Sequence, residues 1–463
     1  MVSARRWARS PRSSSRRLSS LLSRSCGSAG KLIDGLPCQA APGVRDGDPP
    51  PGMRKILLCC VAAGLVLRLA AAFYYCPVEI LGGGDDFVYH EAAKSIRTGR
   101  GFTFQNKPVS ERGPVYPLFL AAAGGPETSA CRLRYAQAAV SAAVVGLVWV
   151  VGNIAFGAPA GLWAAALLAL NSEQILLSTS LYTECFYSFL LLLVALSFLR
   201  WMKKPDTVLL PAVSGAALAL TALCRSFVLP FGAVMLAIAA YRLRDKRLLL
   251  RQVPAFLLAA GLVLSAWQVR NYSVFGRILP TETGLMGPVL YYASLGRINA
   301  PEDEDSEEPF KTVAATRPQL EWDRVMGGYA LDNIAAHPLR YLASSLERGW
   351  HLWSETYTAY LLYYHPALRD FALRRWLAIR FAGDLCFAGL VLLAALGFWR
   401  ERREPGAQFL AALALYFNLY AFFAVFVRFG APAPPLISVL AGAGICSVLA
   451  ALPARGKARG EEK

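Results

Sequence analysis

Blocks of about 20 apolar residues recur along this chain, and they restrict its fold more than any other feature, because a helix of that length crosses a bilayer. Hydrophobic residues occupy 55% of the 463 positions and charged residues 17%, whereas ordinary soluble domains are about a quarter charged. About ten membrane-spanning segments are predicted. They lie near residues 56–74, 135–154, 160–177, 186–201, 208–223, 228–241, 254–267, 378–398, 409–427 and 435–452. The sequence therefore predicts an all-α polytopic membrane protein.

The basic clusters between these blocks predict their orientation. The clusters are Arg54–Lys55, Arg200–Lys204, Tyr241–Arg251, Trp399–Arg403 and the C-terminal RGKARG. With ten spans and a cytoplasmic N-terminus, all of them fall on the cytoplasmic face, as the positive-inside rule requires. We therefore predict a multi-pass protein of the cell inner membrane with both termini in the cytoplasm. The same clusters account for the net charge of +17, so nucleic acid is not predicted as a partner.

The chain divides into five predicted regions. Residues 1–52 are predicted to be disordered or to precede the true start at Met53, although an organellar transit peptide has a similar Arg- and Ser-rich composition. The other regions are an N-terminal transmembrane catalytic core (53–267, with a first external loop at 75–131), a long external loop region (268–375), C-terminal transmembrane helices (376–453) and a cytoplasmic tail (454–463).

The cysteines and acidic residues give no clear metal or disulfide signal. The ten cysteines form no C-x-x-C pair and there are four histidines, so the cysteines are interpreted as small apolar residues of membrane helices rather than as disulfide partners. The acidic run PEDEDSEEP at 301–309 has the oxygen ligands that a divalent cation needs, but like charges repel and favour a solvated loop. No metal ligand or cofactor is assigned, and a divalent cation stays the alternative.

Two adjacent carboxylates, Asp85 and Asp86, follow the first apolar block within GGGDDFVYHEAAKSIRTGRGF (82–102). Ionisable groups at a membrane boundary are costly and usually mark a substrate path. Asp85 follows a glycine-rich turn and begins a predicted amphipathic helix, where a rigidly held carboxylate in contact with water is suited to take a proton from a hydroxyl. Asp86 is the second candidate, and its position also suits a capping role.

Four arginines, Arg112, Arg225, Arg270 and Arg428, lie at helix ends on the same predicted external face. The planar guanidinium group binds phosphate well and stays charged when it is partly desolvated. Snorkelling toward lipid headgroups explains any one of them equally well. Their shared face is what favours a phosphate-binding site.

Several motifs occur in the order found in a known family. After the loop with Asp85 come RGPVYPLFLA (112–121), STSLYTECFYSFLLLL (178–193), TALCRSFVLPFG (221–232), AWQVRNYSVFGRILP (266–280) and VRFGAPAPPLISVLAG (427–442). This order resembles the lipid-linked-sugar glycosyltransferases of the GT-C type. The closer resemblance is to glycosyltransferase family 39, which includes protein O-mannosyltransferases and the enzyme that adds aminoarabinose to lipid A.

The resemblance implies a GT-C-like bundle whose external loops carry short amphipathic helices, and it implies roles for particular residues. Asp85, four residues before Tyr89, is the expected general base, with Asp86 beside it. Arg112, Arg225 and Arg270 are expected to bind the donor phosphate. Supporting roles are expected for Tyr89, Tyr116, Glu184, Asn271 and Arg428.

The function implied by the resemblance is transfer of a sugar from a polyprenyl-phosphate donor to an acceptor hydroxyl on the periplasmic or external face, with inversion at the anomeric carbon. A glycolipid, lipid A or a protein could supply the hydroxyl, and membrane lipids surround the site. One alternative is a lipid or solute transporter or flippase, although the sequence shows no internal repeat of the kind many transporters have. A second is a membrane assembly partner without catalysis, which would tolerate the loss of Asp85.

Overall fold

Helices that could span a membrane dominate the structure, which is a computed structural model. It describes residues 51–78, 84–125, 129–279, 281–298, 307–354, 358–423 and 427–452. Seven helices in this part of the chain are long and apolar enough to span a membrane: Pro51–Tyr75, Ala130–Phe156, Thr183–Lys203, Ser226–Leu243, Lys246–Phe275, Trp376–Glu401 and Ala433–Ala451. Seven of the ten predicted spans correspond to these helices. The other three fall on shorter elements: 160–177 on Ala158–Ala169 and Ser172–Leu177, 208–223 on Leu209–Ala222, and 409–427 on Pro405–Tyr416 and a 3-10 turn at Phe417–Phe422. The predicted all-α polytopic fold is therefore confirmed.

The first half of the described chain contains ten helices, one 3-10 turn and two short strands. Its helices and strands are α1 (Pro51–Tyr75), α2 (Asp85–Arg97), β1 (Thr103–Phe104), β2 (Lys107–Pro108), α3 (Val115–Gly124), α4 (Ala130–Phe156), α5 (Ala158–Ala169), α6 (Ser172–Leu177), α7 (Thr183–Lys203), α8 (Leu209–Ala222), a 3-10 turn (Ser226–Val228), α9 (Phe231–Leu243) and α10 (Lys246–Phe275). The two short strands pair antiparallel.

The second half contains short helices followed by the last spanning helices. They are α11 (Met286–Ser294), α12 (Phe310–Thr316), α13 (Gln319–Ala336), α14 (Pro338–Ser354), α15 (Thr358–Tyr364), α16 (Arg369–Arg374), α17 (Trp376–Glu401), α18 (Pro405–Tyr416), 3-10 turns at Phe417–Phe422 and Val427–Gly430, and α19 (Ala433–Ala451). Short helices are thus present between the spanning helices, as predicted.

Small residues allow the spanning helices to pack closely. A Cβ atom added to Gly152 would lie 2.7 Å from the Cα of Gly161, which joins α4 to α5, and one added to Gly397 would lie 2.0 Å from the carbonyl oxygen of Leu440, which joins α17 to α19. Such small-residue contacts are how helices associate where lipid provides no hydrophobic driving force. The core centres on α7, whose Phe198 and Trp201 side chains are fully buried.

The structure differs from the predicted regions at one boundary. The segment between Tyr75 and Ala130 holds the elements α2, β1, β2 and α3, and α10 continues to Phe275, beyond the predicted boundary at 267. It ends at Gly276, whose φ of 66° lies in the left-handed region that favours glycine. Residues 1–50, 301–306 and 453–463 lie outside the described residues, so the predictions for the N-terminal extension, most of the acidic run and the tail are not addressed by the structure.

The prediction that the cysteines would stay unpaired was wrong, because Cys76 and Cys131 form a disulfide with their Cα atoms 4.6 Å apart. It connects the residue after α1 to the start of α4 and closes the segment between these two helices. The two cysteines are 55 positions apart and lie in no recognisable spacing motif, so only the fold brings them together. Arg134 reinforces the same junction by donating hydrogen bonds to the carbonyl oxygens of Tyr75 (2.9 Å) and Cys76 (3.3 Å).

Replacing both Cys76 and Cys131 by serine is expected to lower the free energy of unfolding by about 2–4 kcal/mol, because the unfolded chain regains the freedom that the closed loop denies it. Thermal unfolding in detergent micelles would show the loss as a lower midpoint. Cys386→Ser is the matched control, since Cys386 is a free and exposed cysteine. An unchanged midpoint in the double variant would contradict the prediction.

Candidate active site

Asp85 occupies the first position of α2, where the fold holds it rigidly. The helix packs through its buried side chains Tyr89, Ala92 and Ala93, as the predicted amphipathic pattern requires. A helix start also stabilises an anionic side chain. The neighbouring Asp86 accepts a hydrogen bond from the backbone N–H of Phe87 (3.0 Å) through its Oδ1 atom. Asp86 therefore supports the first turn of the helix, while the Asp85 carboxylate points to other partners.

Both oxygens of Asp85 are paired with arginines. Arg112 Nη2 donates to Oδ1 over 2.5 Å, and Arg428 Nη2 donates to Oδ2. All three side chains are largely buried, with exposed fractions of 20% for Asp85, 17% for Arg112 and 9% for Arg428. The structure thus unites a predicted base with a predicted phosphate ligand and with Arg428, for which the sequence indicates only a supporting role.

Glu184 extends this group of charges. At the start of α7, its Oε1 atom accepts a hydrogen bond from Arg225 Nη1 (2.9 Å) and lies 3.8 Å from Arg428 Nε. Its side chain is 1% exposed, and its Oε2 atom has no hydrogen-bond partner among the described residues.

The five residues form a chain of ion pairs that we call the Asp85 cluster. Its members in order of contact are Arg112, Asp85, Arg428, Glu184 and Arg225. Within the cluster, three guanidinium groups face two carboxylates, and Glu282 acts on Arg225 from outside it. A partly desolvated site that gathers three guanidinium groups is suited to bind an anion such as a phosphodiester.

Aromatic rings hold two of these arginines in place. The Cζ atom of Arg428 lies 4.1 Å from the ring centroid of Tyr182, and that of Arg225 lies 4.2 Å from the ring centroid of Phe429. Cation–π contacts of this kind stabilise a cation that has lost part of its water. The guanidinium groups therefore stay charged while they are shielded from solvent.

The surrounding charges set the pKa values of the carboxyl groups. Burial alone would raise the pKa of Asp85, but Arg112, Arg428 and Arg225 outweigh burial and hold that pKa well below its usual range. Burial raises the pKa of Asp86, and the negative charge of Asp85 adds to the increase. The pKa values of the two adjacent carboxyl groups are thus shifted in opposite directions, and the arginines favour the ionised form of Asp85.

Tyr89 and Tyr116 form a buried support beneath the Asp85 cluster. Their rings meet edge to face with centroids 5.1 Å apart, and the Tyr116 hydroxyl donates a hydrogen bond to Gln137 Oε1 (2.6 Å) on α4. Burial strongly raises the pKa of Tyr89, so its phenol stays neutral. This pair connects α2 and α3 to the spanning helix α4.

The structure places Arg270 and Asn271 differently from the predicted phosphate site. Arg270 donates hydrogen bonds to the carbonyl oxygens of Val109 (2.9 Å) and Phe102 (3.0 Å), and its Nη1 atom also bonds to Asn271 Oδ1 (2.9 Å). Its Cζ atom lies 4.6 Å from the ring centroid of Trp267. Because the turn around β1 and β2 presents carbonyl acceptors to the end of α10, Arg270 holds this turn and is not a member of the Asp85 cluster.

One acidic residue of the site was missed by sequence reasoning. Glu282 Oε2 accepts hydrogen bonds from the backbone N–H (3.1 Å) and hydroxyl (2.5 Å) of Ser226, the residue next to Arg225. No spacing or motif marks Glu282 in the sequence. As for metals, the described residues contain no group of three His, Cys, Asp or Glu side chains that could hold an ion, while most of the acidic run lies outside them.

Gly113 allows Arg112 to approach Asp85. A Cβ atom at position 113 would lie 2.2 Å from the backbone oxygen of Leu223 and 3.1 Å from that of Cys224. Gly113→Ala is therefore expected to shift Arg112, lower stability by about 1–3 kcal/mol and slow any reaction at the Asp85 cluster at least about tenfold.

Thermal unfolding and the turnover assay described below would measure both effects. Gly146→Ala is the control, since a Cβ at that position meets no atom within 4 Å. Equal behaviour of the two variants would show that the close approach at Gly113 does not position Arg112.

Comparison with known proteins identifies the class of fold. No protein-family model and no curated protein sequence matches the chain. The structure is similar to that of the Archaeoglobus fulgidus oligosaccharyltransferase in complex with Zn and sulfate, with 15% identity and a TM-score of 0.50 over 85% of this chain and 49% of that one. The chain thus shares the fold of this oligosaccharyltransferase over most of its length.

Two further structures are similar at lower scores. The apo form of the same oligosaccharyltransferase has a TM-score of 0.49 and 14% identity over 84% of this chain and 50% of that chain. ArnT from Cupriavidus metallidurans bound to undecaprenyl phosphate has a TM-score of 0.40 and 14% identity over 84% and 77%. The chain spans about half the length of the oligosaccharyltransferase.

Proposed function

We propose that this protein is an integral membrane glycosyltransferase that moves a sugar from a polyprenyl-phosphate donor to an acceptor hydroxyl. The observation that carries this proposal is the Asp85 cluster, in which an ionised carboxylate at a helix start lies among three arginines. The cluster combines the two groups that such a transfer needs, a base and a phosphate ligand. The GT-C fold supports the same conclusion.

The proposed reaction is a single displacement. Asp85 takes the proton of the acceptor hydroxyl as its oxygen forms a bond to the anomeric carbon from the side opposite the phosphate. The bond between the anomeric carbon and the phosphate oxygen breaks, so the configuration inverts and polyprenyl phosphate leaves with an additional negative charge. Arg112, Arg225 and Arg428 offset this charge, and each preorganised group of this kind is worth about 3 kcal/mol.

The remaining predicted residues are proposed to position these groups. Arg270 and Asn271 hold the turn at residues 102–109, from which the chain leads directly to Arg112. Tyr89 and Tyr116 anchor α2 and α3 on α4. Asp86 supports the start of α2.

We propose that the Asp85 cluster faces the periplasm or cell exterior and that both termini are cytoplasmic. The disulfide lies in the same loop as Asp85, and disulfides persist in oxidising compartments. Two predicted cytoplasmic clusters, Tyr241–Arg251 and Trp399–Arg403, contact each other. Arg242 donates hydrogen bonds to the carbonyl oxygen of Arg403 (2.9 Å) and to Gln408 Oε1 (2.8 Å). The separation of basic loops from the disulfide agrees with the positive-inside rule.

The test uses purified protein in detergent with defined polyprenyl-phosphate sugars and, as acceptors, a glycolipid, lipid A, a peptide or a membrane extract. Mass spectrometry follows donor loss and release of polyprenyl phosphate, and Asp206→Asn, in an exposed loop, serves as the control variant. We expect polyprenyl phosphate to be released only when a suitable acceptor is present. Folded protein that releases nothing from any donor would favour the transporter or assembly-partner alternatives, because neither breaks the sugar–phosphate bond.

A further inference from the structure

Both oxygens of the proposed base are occupied in this structure. Arg112 contacts Oδ1 and Arg428 contacts Oδ2 of Asp85. A general base must come within hydrogen-bond distance of the proton that it removes. The acceptor hydroxyl therefore needs one of these two oxygens to be released from its guanidinium partner before the reaction.

The two arginines differ in how they are held. Arg112 donates to the backbone oxygen of its own neighbour Glu111 (3.2 Å) and precedes Gly113, which is packed against the backbone of Leu223. Arg428 lies in the short 3-10 turn Val427–Gly430, and its Nε atom already lies 3.8 Å from the second carboxylate, Glu184. Glu184 would thus remain a negatively charged partner of Arg428 if the contact with Asp85 were released.

We propose that Arg428 is a movable counterion, which pairs with Asp85 in the resting protein and transfers to the donor phosphate when the donor binds. Glu184 and the ring of Tyr182 hold the guanidinium near the site during this exchange. The exchange frees Oδ2 of Asp85 for the acceptor hydroxyl. Arg428 is therefore a positioning residue that couples donor binding to the exposure of the base, an inference that rests on the function proposed above.

The exchange also has an electrostatic consequence. The charged groups that act on Asp85 are Arg112, Arg428 and Arg225, and those that act on Asp86 are Asp85 and Arg428. While Arg428 is paired with Asp85, the carboxylate is a weak proton acceptor, and a bound phosphate competes with it for the same cation. It follows that the Asp85 carboxylate opposes donor binding through Arg428, so its removal strengthens binding only when Arg428 is present.

A double-mutant cycle measures this competition without any need for turnover. Binding of polyprenyl phosphate is measured by titration calorimetry for wild type, Asp85→Asn, Arg428→Gln and the double variant, with Asp206→Asn as the control. We expect Asp85→Asn to tighten binding at least about fivefold in the wild-type background. In the Arg428→Gln background the same substitution is expected to change the dissociation constant less than about twofold. If Arg428→Gln does not fold, Arg428→Met replaces it, because the long methionine side chain can still pack against the ring of Tyr182.

The outcomes separate the inference from the function on which it rests. Weaker or unchanged binding by Asp85→Asn would overturn the counterion exchange while leaving the donor site in place. Equal tightening in both backgrounds would mean that Asp85 acts through its charge alone, and it would overturn the role of Arg428. Folded wild-type protein that binds no polyprenyl phosphate would overturn the proposed function itself, and the inference with it.

Discussion

Asp85→Asn is expected to slow the release of polyprenyl phosphate by about a thousandfold, the middle of the range for removal of a general base. Asparagine has nearly the same shape, and its amide oxygen can still accept the hydrogen bond from Arg112, but it cannot take the proton from the acceptor hydroxyl. The protein should therefore fold and bind donor while the chemical step fails. Single-turnover release measured by mass spectrometry, together with the dissociation constant for the donor, separates these two properties.

Asp86→Asn is the matched comparison, because it changes the adjacent carboxylate in the same way. We expect it to reduce release less than about tenfold, since its observed contact is the backbone N–H of Phe87 and its amide oxygen can keep that contact. If Asp85→Asn were as active as wild type, Asp85 could not be the base. The proton acceptor would then have to be another carboxyl group close to the arginines, with Asp86 and Glu184 as the next candidates.

The membrane fold could be predicted from the sequence because its dominant signal is local. A spanning helix needs a continuous apolar stretch, and seven of the ten predicted stretches fall on helices long enough to span a membrane. The end of α10 was misplaced since its final turns carry polar residues such as Gln268 and Asn271, which reduce the apolar signal although the backbone remains helical to Phe275. The disulfide was missed because two cysteines 55 positions apart are brought together only by the packing of α1 against α4.

The candidate site could be predicted in part for a similar reason. Asp85 and Arg112 lie in one loop, and the order of the motifs assigns both residues to the same predicted site. The contact between Asp85 and Arg428 spans 343 positions, and no periodicity or spacing encodes such a pair. For Arg270 the sequence identifies the residue but not its partners. The motif marks an arginine near a helix end, and it does not indicate which hydrogen-bond acceptors surround the guanidinium group. Its guanidinium group instead binds the carbonyl oxygens of a turn.

Glu184→Ala is expected to have the largest effect on stability, a loss of about 3–5 kcal/mol, because it leaves two buried arginines without their shared carboxylate. Glu184→Gln should cost less, since its amide oxygen can still accept the hydrogen bond from Arg225. The midpoint of thermal unfolding in detergent should therefore be highest for wild type, lower for Glu184→Gln and lowest for Glu184→Ala. Glu347→Ala, at an exposed position of α14, is the control and should leave the midpoint unchanged.

The same substitution should affect the two arginines unequally, and this difference tests how the Asp85 cluster is built. Arg225 interacts electrostatically with Glu282 as well as with Glu184, so it retains a negative neighbour when Glu184 is lost. Arg428 would retain Asp85 and pair with it more tightly, which would hinder the approach of donor and acceptor alike. Glu184→Ala should consequently bind polyprenyl phosphate more weakly than Glu184→Gln, and the addition of Asp85→Asn should restore part of the binding. A midpoint and an affinity equal to those of wild type would mean that Glu184 is not the residue that holds Arg225 and Arg428 together.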